Sequence, residues 1–222
     1  MSRPSLPDPD ALGVDRTMLD RAIGGWRGLI DTGLPATVFI LAYALTGQQL
    51  RPSVTAAVGT GAIIALWRLA RREPLQQVAA GFLGVAVSAY VATRTGRAQD
   101  YFLIGILINI AYLAAYVVSI VVRWPLIGLL VGYLRGDATG WRSDPVQVRA
   151  YATASWLWAA MFGIRLAVQL PLYLAGAVGA LGVAKLVMGW PLFLLTAYLT
   201  YRIIHPILAA RAEPVLEAEA EA

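Results

Sequence analysis

The sequence predicts an all-α fold: a polytopic membrane helical bundle with six transmembrane helices, an N-terminal interfacial helix and a short half-helix near residues 125–134. Two observations lead to this class. Of the 222 residues, 59% are apolar and only 14% are charged, and the mean hydropathy is +0.65, which is more apolar than ordinary soluble domains. The apolar residues also form repeated runs of about 20 with almost no charge, the length of helix that crosses a bilayer.

The amino-terminal part of the chain precedes the first apolar run. Residues 1–14 contain several prolines and acidic residues but no apolar core, so we predict a disordered cytoplasmic leader. In residues 15–30, Met18, Ala22 and Trp26 share one helical face while arginines fall elsewhere. This pattern is typical of a short amphipathic helix that lies at the membrane interface.

Six apolar stretches are predicted to cross the membrane, each ended by glycine, proline or charged residues. Gly189 and Pro191 lie inside the last stretch, where a kink is expected. The acidic, low-complexity tail, residues 206–222, is predicted to be disordered, which leaves a single membrane domain over residues 15–205. The six predicted spans are residues 31–46, 51–70, 75–93, 101–122, 151–174 and 184–204.

A shorter apolar segment, PLIGLLVGYL, occupies residues 125–134. As a helix it is about 15 Å long. Because this is only half of a bilayer, we predict a half-helix that is either interfacial or re-entrant. Gly128, Gly132 and Gly136 recur at every fourth position, a spacing that allows another helix to approach closely.

The basic residues predict the orientation of the bundle. Most of the 18 lysine and arginine residues fall in the leader and in the connections on the same side of the membrane, so the positive-inside rule places both termini in the cytoplasm. We expect a multi-pass protein of the bacterial cytoplasmic membrane. The expected partners are the lipid bilayer, anionic lipid headgroups, and other membrane proteins or further copies of the chain. Since topology explains the net charge of +5, no nucleic-acid partner is predicted.

The residue types present exclude several kinds of chemistry. The chain has no cysteine and one histidine, which excludes thiolate and bis-histidine sites. The HExxH, GxSxG and P-loop patterns do not occur, so hydrolysis and nucleotide-driven work lack their usual residues. We therefore predict no catalytic residue, no metal, no cofactor and no enzymatic activity.

One arginine, Arg165, lies well inside the fifth predicted span. An arginine in hydrocarbon costs about 2.5–3.5 kcal/mol on insertion scales, so we expect polar partners. Counting about 1.5 Å of rise per helical residue, Asn109 of the fourth span lies at the same depth. Gln169 is one turn from Arg165 on the same face, and Ser88 and Tyr43 reach a comparable depth. These five residues are predicted to form a polar layer in the extracytoplasmic half.

The counter-group of Arg165 has several candidates. Asp100 is the carboxylate nearest in depth, and backbone carbonyls, water or an anionic ligand are alternatives. The guanidinium is either an anchor for an anion or lipid phosphate, which it would bind through two parallel hydrogen bonds, or a structural group that joins spans four and five through Asn109. Asp31, at the inner surface, is either an anion at the start of the first span or a proton or cation site.

Three segments carry a resemblance to known proteins: RPSVTAAVGTGAIIALWRLARREPLQQV, TRTGRAQDYFLIGILINIAYLAAYVVSIVVRWPLIGLLVGYL and FGIRLAVQLPLYLAGAVGALGVAKLVMGWPLFLL. They resemble a family of uncharacterised actinobacterial multi-pass membrane proteins, classed as a domain of unknown function, over residues 20–205. The segments Arg165–Leu172 and Lys185–Leu192 are the most specific. Neither this family nor the one below supplies a catalytic residue.

A more distant resemblance concerns the layout of the chain. The order of the spans, the basic residue before Pro125 and the position of Lys185 are similar to intracellular septation protein A, a family linked to envelope upkeep and division. The apolar segment 125–134 replaces the basic stretch of that family. The resemblance implies a role in envelope maintenance, or as an accessory or scaffold protein, through protein or lipid contacts. The alternative is a small transporter or channel subunit for an anion or lipid phosphate.

Overall fold

The computed structural model describes the backbone of residues 25–136 and 139–220, and the side chains of residues 33–136 and 139–207. The predicted leader and most of the predicted interfacial helix, up to residue 24, lie outside the described residues. The described part consists of helices and their connections, with no strand. The prediction of an all-α fold is therefore confirmed for this part of the chain.

The elements are numbered in chain order. Two short 3-10 helices, Ala98–Phe102 and Gly140–Ser143, precede α4 and α6. The α-helices of the described chain are α1 (Gly25–Leu45), α2 (Leu50–Ala70), α3 (Leu75–Thr95), α4 (Leu103–Val121), α5 (Leu126–Leu134), α6 (Pro145–Leu174), α7 (Val178–Val187) and α8 (Trp190–Ala220).

Five helical stretches of the described chain are long and apolar enough to cross a membrane, as judged by length and composition. They correspond to the last five predicted spans and identify the chain as a membrane protein. In α1 the described segment Gly33–Leu45 is apolar but shorter than these five. The five stretches are Leu50–Ala70, Leu75–Thr95, Ala98–Val121, Pro145–Leu174 and Val178–Ile207.

The fifth predicted span begins earlier in the structure than the sequence suggests. Helix α6 starts at Pro145 rather than at residue 151. The carboxylate of Asp144 accepts a hydrogen bond of 2.8 Å from the backbone N–H of Val146, and proline is favoured in a first turn because it has no N–H to leave unpaired. Residues 145–150 therefore belong to the helix and lengthen the predicted span at its amino end.

The sixth predicted span differs at both of its ends. It begins at Val178, because residues 178–187 form a separate helix, α7, ahead of α8. At the other end, α8 continues to Ala220, through residues for which the sequence predicts a disordered tail. Alanine and glutamate predominate there, and both are strong helix formers.

The described chain divides into two compact units at Ala89 and Tyr90, inside α3. In the first unit, α1 packs on α2. Helix α2 also faces α3 across a small cavity, beside which Gly61 lies against the side chain of Val85. Arg68 at the end of α2 forms a largely buried ion pair of 2.6 Å with Glu73. This pair fixes the tight turn between α2 and α3.

The second unit is built around α6, which contacts α4, α5, α7 and α8. Aromatic rings define the antiparallel register of α4 and α6. Tyr112 stacks on Phe162 at 5.1 Å between ring centroids, and Tyr116 stacks on Trp158 at 6.0 Å. Each step of four residues along α4 is therefore matched by a step of four residues back along α6.

The predicted half-helix is α5, and it is docked on α6. Its first two free N–H groups, those of Leu126 and Ile127, donate hydrogen bonds of 3.3 Å to the hydroxyls of Ser119 and Ser155. Gly128 faces an indole ring closely enough that a Cβ atom there would lie 3.0 Å from it. The glycine thus permits close packing, in keeping with the predicted role of the glycine repeat.

Candidate functional site

The last membrane-spanning stretch is interrupted between α7 and α8. Met188 and Gly189 separate the two helices, and Pro191 in the first turn of α8 has no N–H with which to continue the hydrogen-bond pattern. A Cβ atom on Gly189 would lie 3.0 Å from the carbonyl oxygen of Lys185 and 3.3 Å from that of Leu186. Only glycine fits this break without displacing backbone, and the break leaves carbonyl groups that need donors.

Arg165 supplies those donors. Its Nε atom donates a hydrogen bond of 3.0 Å to the carbonyl oxygen of Met188, and its Nη2 atom donates to that of Gly189. The guanidinium is half-buried, and its planar fork suits two neighbouring acceptors. A positive charge at the carboxyl end of α7 also complements the helix dipole. The sequence left several candidate partners for Arg165, and the structure shows that its partners are backbone carbonyls.

Asn109 lies at the level of Arg165. Continuing the aromatic register of α4 and α6 by one turn brings Asn109 opposite Arg165, at a half-buried position. No hydrogen bond joins the two side chains; within the described residues, Arg165 donates to Met188 and Gly189 alone. The structural bond of Arg165 is therefore made to the break between α7 and α8 and not to Asn109.

Asp100 is engaged at the end of the unit where α4 begins and α6 ends. Its Oδ1 atom accepts a hydrogen bond of 2.6 Å from the hydroxyl of Tyr173 and lies 3.8 Å from the Nε atom of Arg97. The carboxylate is buried. These contacts join the 3-10 helix before α4 to the last turn of α6. Asp100 is therefore the partner of Tyr173 and Arg97, whereas the sequence had made it a candidate counter-group for Arg165.

Gln169 lies one turn from Arg165, toward the end of α6. Its side chain is only 6% exposed, yet it forms no hydrogen bond with a residue that the structure describes. Helices α6 and α7 form an antiparallel hairpin whose register is set by the bonds from Arg165 to Met188 and Gly189. One turn outward along this register, Gln169 is level with Lys185.

Lys185 is a site residue that the sequence analysis did not identify. Its Nζ atom lies 5.3 Å from the ring centroid of Phe102 and 3.9 Å from the position of a Cβ on Gly105. The predicted sixth span, residues 184–204, put this lysine at its very start, whereas the structure places it in the last turn of α7, a helix that begins at Val178. The sequence did contain a signal for this position, because Lys185 is the one lysine among many arginines.

The remaining predicted site residues lie elsewhere. Tyr43 and Ser88 belong to the first unit, where Tyr43 stacks on Phe39 at 6.1 Å and Ser88 is half-buried on α3. Arg165, Asn109 and Gln169 belong to the second unit. Asp31 is part of α1, but its side chain lies outside the described residues. Among described residues, no group of His, Cys, Asp and Glu is arranged to hold a metal ion.

Comparison with known proteins adds one finding. A family model matches residues 23–211, and its description is "Protein of unknown function (DUF3159)". No curated protein and no solved structure matches the chain. The match covers both units of the structure, and it confirms the predicted resemblance to a domain family of unknown function.

Proposed function

We propose that this chain, which belongs to the DUF3159 family of proteins of unknown function, is an accessory or scaffold protein of the membrane that supports the cell envelope. It acts through contacts with lipids or other membrane proteins and catalyses no reaction. The observation that carries the proposal is the position of Arg165. Arg165, the arginine deepest in a predicted span, already donates hydrogen bonds to the carbonyls of Met188 and Gly189.

This bonding favours a structural use of the arginine. Two donors of the guanidinium are held by a broken helix, and neutral backbone oxygens replace the counter-ion. An anion bound at the same fork would leave the two carbonyls unpaired in a low-dielectric region. Arg165 thus supports the fold of the second unit, and the protein meets its partners through other surfaces.

One such surface lies at the end of the second unit where α4 ends and α5 begins. The guanidinium of Arg142 lies 3.8 Å from the centroid of the Trp124 ring and donates a hydrogen bond of 3.4 Å to the carbonyl oxygen of Arg123. Trp124 and Tyr133 are exposed. Exposed arginines among interfacial aromatic rings suit anionic lipid headgroups. The surface is therefore proposed to contact lipid.

The proposed location is the bacterial cytoplasmic membrane, with six crossings and both termini in the cytoplasm. The crossing that is added to the five spans is the amino-terminal helix α1. Its 21 residues are about 31 Å long as a helix and so match the thickness of a bilayer. Reporter fusions after Gln49 and Glu73 test this count. An extracytoplasmic signal at Gln49 and a cytoplasmic signal at Glu73 support six crossings, whereas the same side at both positions contradicts them.

The functional test is complementation in the native host. Deletion of the gene is expected to raise sensitivity to detergent and to osmotic downshift, and expression of the wild-type chain is expected to restore resistance. Arg142→Gln, which weakens the lipid-facing surface, should complement poorly. Arg94→Gln is the matched control, since Arg94 is an exposed arginine that bonds Tyr90 of its own helix. Unchanged resistance in the deletion strain contradicts the proposal.

The second candidate is a small transporter or channel subunit for an anion or lipid phosphate. It is favoured by the break at Gly189, because broken helices within the membrane commonly form transport sites. Proteoliposomes loaded with phosphate or chloride separate the two candidates. Anion flux no faster than in protein-free vesicles supports the accessory role. Anion flux that depends on Lys185 or Arg165 supports transport.

A further inference from the structure

Lys185 is a cation that forms no ion pair with the residues whose side chains are described. Among the residues whose side chains are described, the second unit contains two carboxylates, those of Asp100 and Asp144. The buried carboxylate of Asp100 accepts a hydrogen bond from the hydroxyl of Tyr173, and that of Asp144 caps the first turn of α6. No ion pair or hydrogen bond reaches Lys185 from any described residue.

The two described neighbours of the ammonium group are an aromatic ring and a glycine. The Nζ atom lies over the ring of Phe102 and beside Gly105, at the first turn of α4. The register of α4 on α6 places Gly105 opposite Gln169, and the register of α6 on α7 places Gln169 opposite Lys185. All three residues therefore lie at one level, one helical turn beyond the hydrogen bonds of Arg165. Gln169 is almost fully buried, and its amide has two N–H donors without a described acceptor.

The ammonium group faces α4 at Gly105, where its Nζ atom lies 3.9 Å from the position that a Cβ atom would take. Because Gly105 has no side chain, α4 presents only backbone to the ammonium group at this position. The side chain of Lys185 extends from the end of α7 back toward its beginning, as long side chains on helices do. The ammonium group therefore reaches toward the end of the bundle where α4 begins, and headgroups of one leaflet are within reach there.

We propose that Lys185 and Gln169 form a binding site for a single phosphate oxyanion, with Phe102 and Gly105 as its apolar walls. The ammonium group supplies the positive charge and the amide of Gln169 supplies a second donor. A lysine binds phosphate as a point charge, and an unpaired ammonium in an apolar site is costly until an anion joins it. The ligand is the phosphodiester of a lipid headgroup or free phosphate.

The site goes beyond the accessory role, since a bound headgroup phosphate would anchor the unit in one leaflet whatever its protein partners are. It is also separate from Arg165, whose donors face the carbonyls of the break. If the deletion strain shows no envelope defect, the proposed phosphate site is not contradicted. If phosphate ligands do not bind, the proposed envelope role is not contradicted. The two proposals are therefore tested independently.

The test uses the full-length chain in a neutral detergent. Binding of phosphatidylglycerol, of phosphatidylcholine and of sodium phosphate at constant ionic strength is measured by native mass spectrometry. We expect Lys185→Met to weaken binding of the phosphate ligand about 10- to 100-fold, the effect of losing a hydrogen-bonded charge. Gln169→Leu should weaken it less, and Lys185→Arg should retain it. Arg94→Gln, a surface arginine replacement, should leave it unchanged.

A second readout needs only the wild-type chain. Because Lys185 is the single lysine, an amine-reactive reagent followed by peptide mass spectrometry reports on its Nζ atom alone, apart from the amino terminus. Protection by phosphatidylglycerol but not by sodium phosphate identifies a lipid ligand, and protection by both identifies a general phosphate site. If neither protects Lys185, or if Lys185→Met binds as well as the wild type, the proposal is overturned.

Discussion

Replacing Arg165 with methionine keeps most of the length of the side chain and removes both hydrogen bonds to the break. Hydrogen bonds to a charged group contribute about 1.5–3 kcal/mol each. The same replacement relieves about 2.5–3.5 kcal/mol of cost for a guanidinium in hydrocarbon. The two effects oppose each other, and the expected net loss in the free energy of unfolding is about 1–2 kcal/mol.

The measurement is thermal unfolding in detergent, followed by the fluorescence of the seven tryptophans. For a chain of this size, the loss corresponds to a fall in Tm of about 2–8 °C. Arg165→Lys should fall between the wild type and Arg165→Met, because an ammonium group is a point donor and cannot span two carbonyls. Arg94→Met, at an exposed arginine, should change Tm little.

The comparison with Arg94→Met shows whether the hydrogen bonds of Arg165 stabilise the bundle. If Arg165→Met unfolds at the temperature of the wild type and of Arg94→Met, the bonds to Met188 and Gly189 do not stabilise the bundle. The structural role of the arginine would then be refuted, and with it the observation on which the accessory role rests. Anion flux in proteoliposomes would become the more informative experiment.

Three further predictions concern stability and use the same unfolding assay. Gly189→Ala should destabilise the chain by about 1–3 kcal/mol, because the new methyl group meets backbone carbonyls that cannot move aside. Gly128→Ala should cost a similar amount against the indole ring, whereas Gly59→Ala, where nothing lies within 4 Å, should be neutral or stabilising by up to about 1 kcal/mol. Equal effects at both glycines would contradict the packing of α5. Tyr173→Phe should cost about 1–3 kcal/mol by removing the 2.6 Å bond to Asp100, and an unchanged Tm would show that the carboxylate finds another donor.

Much of the fold could be read from the sequence because hydrocarbon imposes a simple requirement of length and polarity. Runs of about 20 apolar residues led to α2, α3 and α4 within two residues of their observed ends, and to the carboxyl end of α6. The rule failed for α7, since residues 175–183 are rich in alanine and glycine and resemble a loop. In the structure they form a turn at Gly176, with a φ of +66°, and then a helix.

The candidate site shows where such reasoning ends. Counting depth along single helices led to Asn109, Gln169 and Arg165, but it could not reveal the acceptors of the arginine. Those acceptors are backbone carbonyls that become available only where α7 stops short of α8, a break that depends on Gly189 and Pro191 in their three-dimensional setting. Lys185 was missed for the same reason, because its depth follows from the extra helix.

The bonds from α6 to the broken last crossing also bear on how the chain enters the bilayer. The donor and its first acceptor are 23 residues apart, on opposite arms of one helical hairpin. If either arm left the translocon alone, lipid would surround an unmatched guanidinium or bare carbonyl oxygens. Joint partitioning of the two arms avoids both situations. The arginine therefore makes co-insertion of the hairpin the favoured route of biogenesis.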